Sequence, residues 1–414
     1  MLEPVQNPNS KWMVDPPPIL RWLMSKVMGR VASTGHINKN RRQFEAQRVA
    51  QKQPHTVEYF HQLDDPYSHL MAQVLAQFAE RYDVEVVPRL IRATGGKHQP
   101  EAKKLAAWAR RDAALVAPHY GLTFPDAVGV TPDLEALQTA TQALVNCDAL
   151  AFITKIKRIS QALWSGSEGF EPMPDEDLAT YAAATAALDQ GSARLLELKH
   201  YSGASLYYGG EWYWGVDRLP YLERRLAKAQ LRHQGFQQLA HFQERPSFMA
   251  KPASGRLTVE FYPSARSPYS YVAMEETLDL PNHYPVNLVM RPVLPMVMRG
   301  LPVPRRKGFY ILGDTKREAD RIGVAFGKIS DPVGAPVRRC YSLFPMANAA
   351  GKGGEFLHAF CQLAWAEGVD VGTDEGLKKA VERAGLDWNE AAKVVDNTDW
   401  EAEIEDNRLQ MMAS

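Results

Sequence analysis

The sequence predicts an α/β protein of two domains built to one pattern, and three observations carry that expectation. A strand-to-helix passage, His55-Thr-Val-Glu-Tyr-Phe and then Asp65-Pro-Tyr-Ser68, recurs as Leu257-Thr-Val-Glu-Phe-Tyr and then Ser267-Pro-Tyr-Ser270, 202 residues further on and without a gap. The same spacing relates Val84 to Val286, Val87 to Val289, Arg89 to Arg291, Asp112 to Asp314, Gly121 to Gly323 and Phe124 to Phe326. In both copies a run of helical period lies between two short β-branched runs, the pattern of a β-α-β unit. Finally, 414 residues are too many for one compact core and ample for two.

Residues 1–54 form an N-terminal extension. Ile19 to Val31 is apolar on one face but interrupted by Arg21, Lys26 and Arg30. This predicts an amphipathic helix packed on the body of the protein, neither a transmembrane span nor a signal peptide, with contact to a membrane surface as the second reading. The basic run Lys39 to Lys52 reads as a solvated helix or loop. The first domain, 55–230, opens with a strand over Thr56 to Phe60. Pro66 starts a helix running to about Tyr82, and Val84 to Ile91 is a second strand, parallel to the first through a right-handed crossover. Glu101 to Lys199 is helical throughout, broken at Pro118, Pro125, Pro132 and the Gly166-to-Pro174 stretch. Ala204 to Tyr208 and Glu211 to Tyr213, joined by Gly209-Gly210, predict a hairpin, and a helix follows over Asp217 to Lys228.

That order, β-α-β, a block of helices, then β-β-α, is a thioredoxin-like fold with a helical insertion. Residues 231–255, ending in Lys-Pro-Ala-Ser-Gly, read as a linker. The second domain, 256–414, repeats the β-α-β unit over Leu257 to Tyr262, Tyr269 to Leu278 and Val286 to Val293. Helices are predicted over Phe309 to Ile322, Pro345 to Glu367, Glu375 to Ala384 and Thr398 to Met411. Matching Ala193-Arg-Leu195 to Asn407-Arg-Leu409 puts the partner of Asp217 beyond Ser414. The second copy is therefore expected to lack its C-terminal hairpin and helix in this chain and to leave a sheet edge open. The chain is then a fragment, or something else completes the domain.

Composition narrows the chemistry. With 48 basic and 48 acidic residues and no basic stripe, nucleic acid is not an expected partner. Cys147, Cys340 and Cys361 form neither a C-x-x-C pair nor an even framework, which points to a reducing compartment, the cytoplasm. The eleven histidines show no metal-ligand spacing, so no metal site is expected. No G-x-G-x-x-G follows a strand, and neither a P-loop nor a G-x-S-x-G is present.

Several motifs in order carry a resemblance. Ser267-Pro-Tyr-Ser270 after a strand, Arg291-Pro-Val-Leu after the next, Pro304-Arg-Arg-Lys-Gly-Phe-Tyr310, Ala364-Trp-Ala-Glu-Gly368 and Tyr213-Trp-Gly-Val-Asp-Arg-Leu219 resemble the 2-hydroxychromene-2-carboxylate isomerases and kappa-class glutathione transferases. These belong to the DsbA-like branch of thioredoxin folds, and the resemblance runs from Thr56 to Ser414. It implies glutathione as cofactor, with Ser267, which stands where DsbA-like oxidoreductases have the first Cys of C-x-x-C, against the glutathione sulfur as the catalytic residue. It also implies Tyr269 and Ser270 of the same turn as glutathione-binding residues, Lys307 near the peptide's carboxylates, and Asp217 and Arg218 in the segment that holds the γ-glutamyl end. Where the family has Gly-Asn-x-Pro, this chain reads Gly300-Leu-Pro-Val.

The residues themselves admit that chemistry. A Ser at the N-cap with Pro at the first helical position lies at the positive end of a helix, where a thiolate is stabilised and a hydroxyl can donate to it. Ser-Pro is equally an ordinary cap. In the first copy Asp65 takes that place. Two unit charges about 4 Å apart repel by roughly 4 kcal/mol at an effective dielectric of about 20, so Asp65 opposes a thiolate. Ala204 replaces the family's cis-proline and predicts a trans backbone, and Asp217 of this copy reads as a structural cap of its last helix.

The leading expectation is thus a glutathione-dependent isomerase or transferase acting on a conjugated, aromatic-derived carbonyl compound. The second copy would be active, the first degenerate, and the two would form an intrachain pseudo-dimer, with a homo-oligomer left open. The alternative is a non-catalytic binding or scaffold protein. Dithiol exchange is disfavoured, because neither helix start carries a thiol.

Overall fold

The computed structural model describes residues 7–125, 131–165, 177–242 and 255–413. The break expected over Gly166 to Pro174 and residues 243–254 of the expected linker lie outside the described residues. Contacts divide the chain into two units, one taking in Met1–Asn38 and Pro246–Ser414, the other Lys39–Arg245. The extension is split accordingly. Its short helix α1 (Lys11–Val14) and α2 (Pro18–Val31) belong to the C-terminal unit, and α3 (Thr34–Ala50), which carries the basic run, buries none of its residues.

In the N-terminal unit β1 (Thr56–His61) is followed by α4 (Pro66–Ala72), α5 (Leu75–Arg81) and β2 (Glu85–Leu90). The single helix expected to Tyr82 is therefore two. At the break, the Gln73 side chain bonds the Thr123 backbone in both directions, donating to its carbonyl at 2.8 Å and accepting from its N–H at 3.1 Å. Helices α6 (Ala102–Val116), α7 (Leu134–Val145), α8 (Ala149–Ser165) and α9 (Tyr181–Glu197) make the insertion. The hairpin of β3 (Ser205–Tyr208) and β4 (Glu211–Trp214) and then α10 (Leu219–Lys228) close the unit. Sheet order is β2-β1-β3-β4, with β1 and β2 parallel and the remaining pairs antiparallel. Between two neighbours, β1 buries five of its six residues. Its one acid, Glu58, is held by Arg89 at 2.5 Å and Arg194 at 2.7 Å; burial alone would raise its pKa, and these bonds bring it below the usual value.

Residues 231–242, expected to begin the linker, instead pack on this unit. Leu231 and Ala240 join its core, and the buried Glu223 carboxylate accepts from the N–H groups of Leu239 at 2.7 Å and Ala240 at 2.8 Å.

The C-terminal unit begins with β5 (Leu257–Phe261), α11 (Pro268–His283) and β6 (Val286–Met290). Helices α12 (Arg305–Ile322), α13 (Ala335–Ala349), α14 (Gly353–Gln362), α15 (Asp374–Arg383), α16 (Trp388–Val394) and α17 (Trp400–Ala413) follow, with a π-helical turn at Leu363–Glu367. Two helices run past the bounds expected from sequence: α11 continues beyond Leu278 through Pro281, and α13 runs through Pro345, where a helix is expected to begin. Strands β5 and β6 are parallel, and their register repeats that of the first unit at the same offset: Thr56 opposes Glu85 as Thr258 opposes Asn287. Among the described residues β5 pairs on one side only, and Leu257 is 75% exposed. The core lies among α11 to α17 around Tyr341, Phe344, Phe356, Phe360 and Trp365. Among the described residues no helix is long and apolar enough to cross a membrane.

Candidate functional site

The start of α11 assembles the predicted residues from local rules. Ser267 has extended backbone geometry and caps the helix, its Oγ accepting from the Ser270 N–H at 3.2 Å, and Pro268 fills the first helical position. Ser267 is half-buried. Among the described residues its hydroxyl accepts that one bond and donates none, at the positive end of a 16-residue helix. Ser270 Oγ accepts from the Ser264 N–H at 3.2 Å and so ties the loop after β5 to the helix.

Tyr269 points away from a ligand role of its own. Its hydroxyl donates to the buried carboxylate of Asp314 on α12 at 2.7 Å, and Arg317 sits 3.2 Å from the same carboxylate. Lys307 lies in the first turn of that helix, seven residues before Asp314 and so roughly 10 Å along its axis. Desolvation lowers its pKa. Tyr269 thereby links the helix of the candidate thiolate site to the helix of the candidate carboxylate site.

Two features here had no reading from sequence. Arg266, immediately before Ser267, makes a bidentate pair with the buried Asp331 at 2.8 and 2.9 Å, which anchors the turn and neutralises a charge beside the site. Tyr341 accepts from the Ala265 N–H at 3.1 Å and donates to Val293 O at 2.7 Å, joining the loops after β5 and β6. For Asp314 a signal existed, since it matches Asp112 in the repeat; for Arg266 none did, because the first copy has Asp64 there.

The N-terminal unit repeats the framework with a different outcome. Asp65 caps α4, accepting from Ser68 N at 2.9 Å and Ser68 Oγ at 2.8 Å, and Tyr67 donates to Asp112 at 2.7 Å. Ser68 Oγ also accepts from Gln62 N and Ala204 N, so all of its bonding capacity is used internally. Burial pushes the Asp65 pKa up to about 6, against the Ser68 bonds that lower it. Ala204 has φ of +53°, and no cis peptide occurs among the described residues. The chain before it closes over the cap: a Cβ on Gly203 would lie 2.7 Å from Gln62 Cβ, 3.0 Å from Ser68 Oγ and 3.2 Å from Asp65 Oδ2.

Asp217 does not cap the last helix of this unit, which corrects the sequence reading. The N-cap of α10 is Arg218, without a side-chain cap bond, because a tight turn from Gly215 to Leu219 sets Asp217 one residue early, where it pairs with Arg218 at 2.5 Å. Asp217 lines a cavity of about 50 Å³ with Tyr67, Asp112, Val116 and Gly215. Asp217 and Arg218 thus gather with Tyr67 and Asp112 in the N-terminal unit, while Ser267, Tyr269, Ser270 and Lys307 stand in the C-terminal one.

Two of the three cysteines, Cys340 and Cys361, are buried in the C-terminal unit. Burial raises the pKa of Cys361 to about 12 and that of Cys340 well above the usual thiol value, and neither is at a helix start. No group of His, Cys, Asp and Glu among the described residues could hold a metal ion.

Residues 258–413 match the family model of the DSBA-like thioredoxin domain. The C-terminal region is a DsbA-like thioredoxin domain. A solved structure of 2-hydroxychromene-2-carboxylate isomerase (HCCA isomerase) is similar at 20% identity and a TM-score of 0.32, over 42% of this chain and 96% of that one. A search of curated proteins finds no match.

Proposed function

We propose that the C-terminal unit binds glutathione with its sulfur, as thiolate, at Ser267, and that the protein is a cytoplasmic glutathione-dependent isomerase or transferase for a conjugated, aromatic-derived carbonyl compound. In the isomerase reading the thiolate adds to the conjugated system, a bond rotates, and elimination returns the thiol. Ser267 steadies the sulfur, Ser270 and Tyr269 fix the turn, and Lys307 attracts a peptide carboxylate. The observation that carries this reading is the Ser267 hydroxyl, which among the described residues accepts a capping bond and donates none at the positive end of α11. A structural cap needs only the acceptor; an anion needs the donor.

The two units are copies of one ancestral domain in this reading. Four contacts recurring at one offset support it: Arg89–Glu58 with Arg291–Glu260, Ser68–Asp65 with Ser270–Ser267, Gln62–Ser68 with Ser264–Ser270, and Tyr67–Asp112 with Tyr269–Asp314. The first copy has given up the ligand, because its cap is a carboxylate and Gly203 closes over it. A second reading, a binding or scaffold protein without turnover, is favoured by that closed helix start.

Calorimetric titration with glutathione and with S-methylglutathione tests the proposal. Glutathione should bind with release of a proton near neutral pH, and the methylated form, which has no thiolate to offer, should bind at least tenfold more weakly. Equal affinities, or no binding of either, would exclude a thiolate site at Ser267.

A further inference from the structure

Helix α2 is amphipathic with its faces reversed. Its buried residues are Arg21 and Ser25. Arg21 reaches Asp15 at 3.2 Å and Pro16 O at 3.1 Å, Ser25 Oγ accepts from the Asp331 N–H at 2.9 Å, and a Cβ on Gly29 would stand 3.1 Å from Gly327 O. Asp15 in turn accepts from Ala335 N at 3.0 Å and pairs with Arg338. The inner side of the helix is therefore strapped to the C-terminal unit through polar groups and close backbone, with Met28 and Val31 packed against that unit's core at its C-terminal end.

The outer side is apolar. Ile19, Trp22, Leu23 and Val27, at i, i+3, i+4 and i+8 on one stripe, are 75%, 58%, 49% and 53% exposed, and Trp12 on α1 is 66% exposed. Lys26 and Arg30 continue the stripe, with Lys26 Nζ 5.6 Å from the Trp22 ring, and Lys11 is exposed beside Trp12. The acid of the segment, Asp15, is already held by Arg21 and Arg338. Packing on the body, which the sequence predicts, thus leaves an apolar stripe uncovered.

We propose that this face is a docking surface for an anionic lipid bilayer. Water disfavours a stripe of Ile, Trp, Leu and Val, and tryptophan prefers the boundary between headgroup and acyl chain. Cations along the same stripe, unopposed by a free carboxylate, match a negative membrane surface. At 14 residues, about 21 Å, the helix lies in the interface plane and does not cross. The protein is thereby held at a membrane surface with its C-terminal unit attached directly behind the helix, which places the candidate site of that unit beside a phase where aromatic compounds concentrate.

Flotation of the full chain with vesicles tests this. With equal parts phosphatidylcholine and phosphatidylglycerol the protein should float, and with phosphatidylcholine alone it should remain at the bottom. Trp22→Glu with Leu23→Glu should abolish flotation, and Lys26→Glu with Arg30→Glu should weaken it at least tenfold and remove its salt dependence. Since these side chains are exposed, circular dichroism should be unchanged. Brominated lipid supplies a readout free of substitution: it should quench tryptophan emission of the unaltered protein in the anionic vesicles only. Failure of that protein to float or be quenched, flotation unaltered in the Trp22→Glu, Leu23→Glu variant, or self-association that this variant abolishes, which would mean that a second copy covers the face, would each overturn the proposal.

Discussion

One side chain separates the two helix starts. Ser267 and Asp65 both cap, and both accept the N–H of the residue three positions on, yet only the serine keeps a proton to offer a ligand. The carboxylate also bears on stability. Its folded pKa of about 6 lies above that of an unfolded aspartate, so burial does no harm below about pH 4, where the group is protonated in both states. The penalty grows as pH rises through 6. About two pH units correspond to roughly 3 kcal/mol. Asp65→Asn should therefore stabilise the N-terminal unit by that amount at about pH 8 and not at all near pH 4, as read by urea unfolding. An equal gain at both would mean that the carboxylate is not penalised. Both caps were legible from Ser-Pro and Asp-Pro after a strand, because capping is local. That Gly203 folds over Asp65 was not, since it depends on a contact spanning more than a hundred residues.

At the scale of elements, the tyrosine-to-carboxylate bond joins the helix after each unit's opening strand to a following helix of the same unit. Asp314 is buried and Asp112 half-exposed, so water can replace a lost partner in one case and not in the other. Tyr269→Phe should destabilise its unit by about 1.5–3 kcal/mol and Tyr67→Phe by about 1 kcal/mol or less. Hydrogen exchange followed separately in each unit distinguishes them, and equal losses would contradict the argument. Strands β1, β2, β5 and β6 and the hairpin were readable because β-branched and aromatic runs ended at turn residues. Helix ends were less so. The sequence expects a helix to begin at Pro345 and another to stop at Leu278, whereas α13 and α11 run through Pro345 and Pro281. The break between α4 and α5 was hidden because Gln73 is a good helix former whose bonds to Thr123 come from a distant loop.

For the molecule as a whole, buried histidines tie stability to pH. In the N-terminal unit burial lowers the pKa of His61 to about 3 and of His69 to about 4. Unfolded histidines take up protons near pH 6.5 that these do not, so stability falls as pH drops from 6.5 toward 4, by about 1.4 kcal/mol per pH unit for each. In His61→Gln that slope should lessen by about one proton's worth, measured by urea unfolding from pH 6 to 4; an unchanged slope would show His61 to be protonated in the fold. The repeated pattern was visible in the sequence because one offset relates helix-start, ion-pair and strand positions alike. The reversal of α2 was not, because an apolar stripe in sequence does not say which side of a helix the body will take.

The central claim is that Ser267 donates to a glutathione thiolate, and the pKa of the bound thiol reads this directly. It is followed by thiolate absorbance against pH in the unaltered protein, in Ser267→Ala and in Asp65→Ala. Loss of one hydrogen bond to a charged sulfur is worth roughly 1.5–3 kcal/mol, so the account predicts a bound-thiol pKa higher by about one to two units in Ser267→Ala and unchanged in Asp65→Ala. Binding of glutathione with the same thiol pKa in the unaltered protein and in Ser267→Ala would contradict it and leave Ser267 as a helix cap.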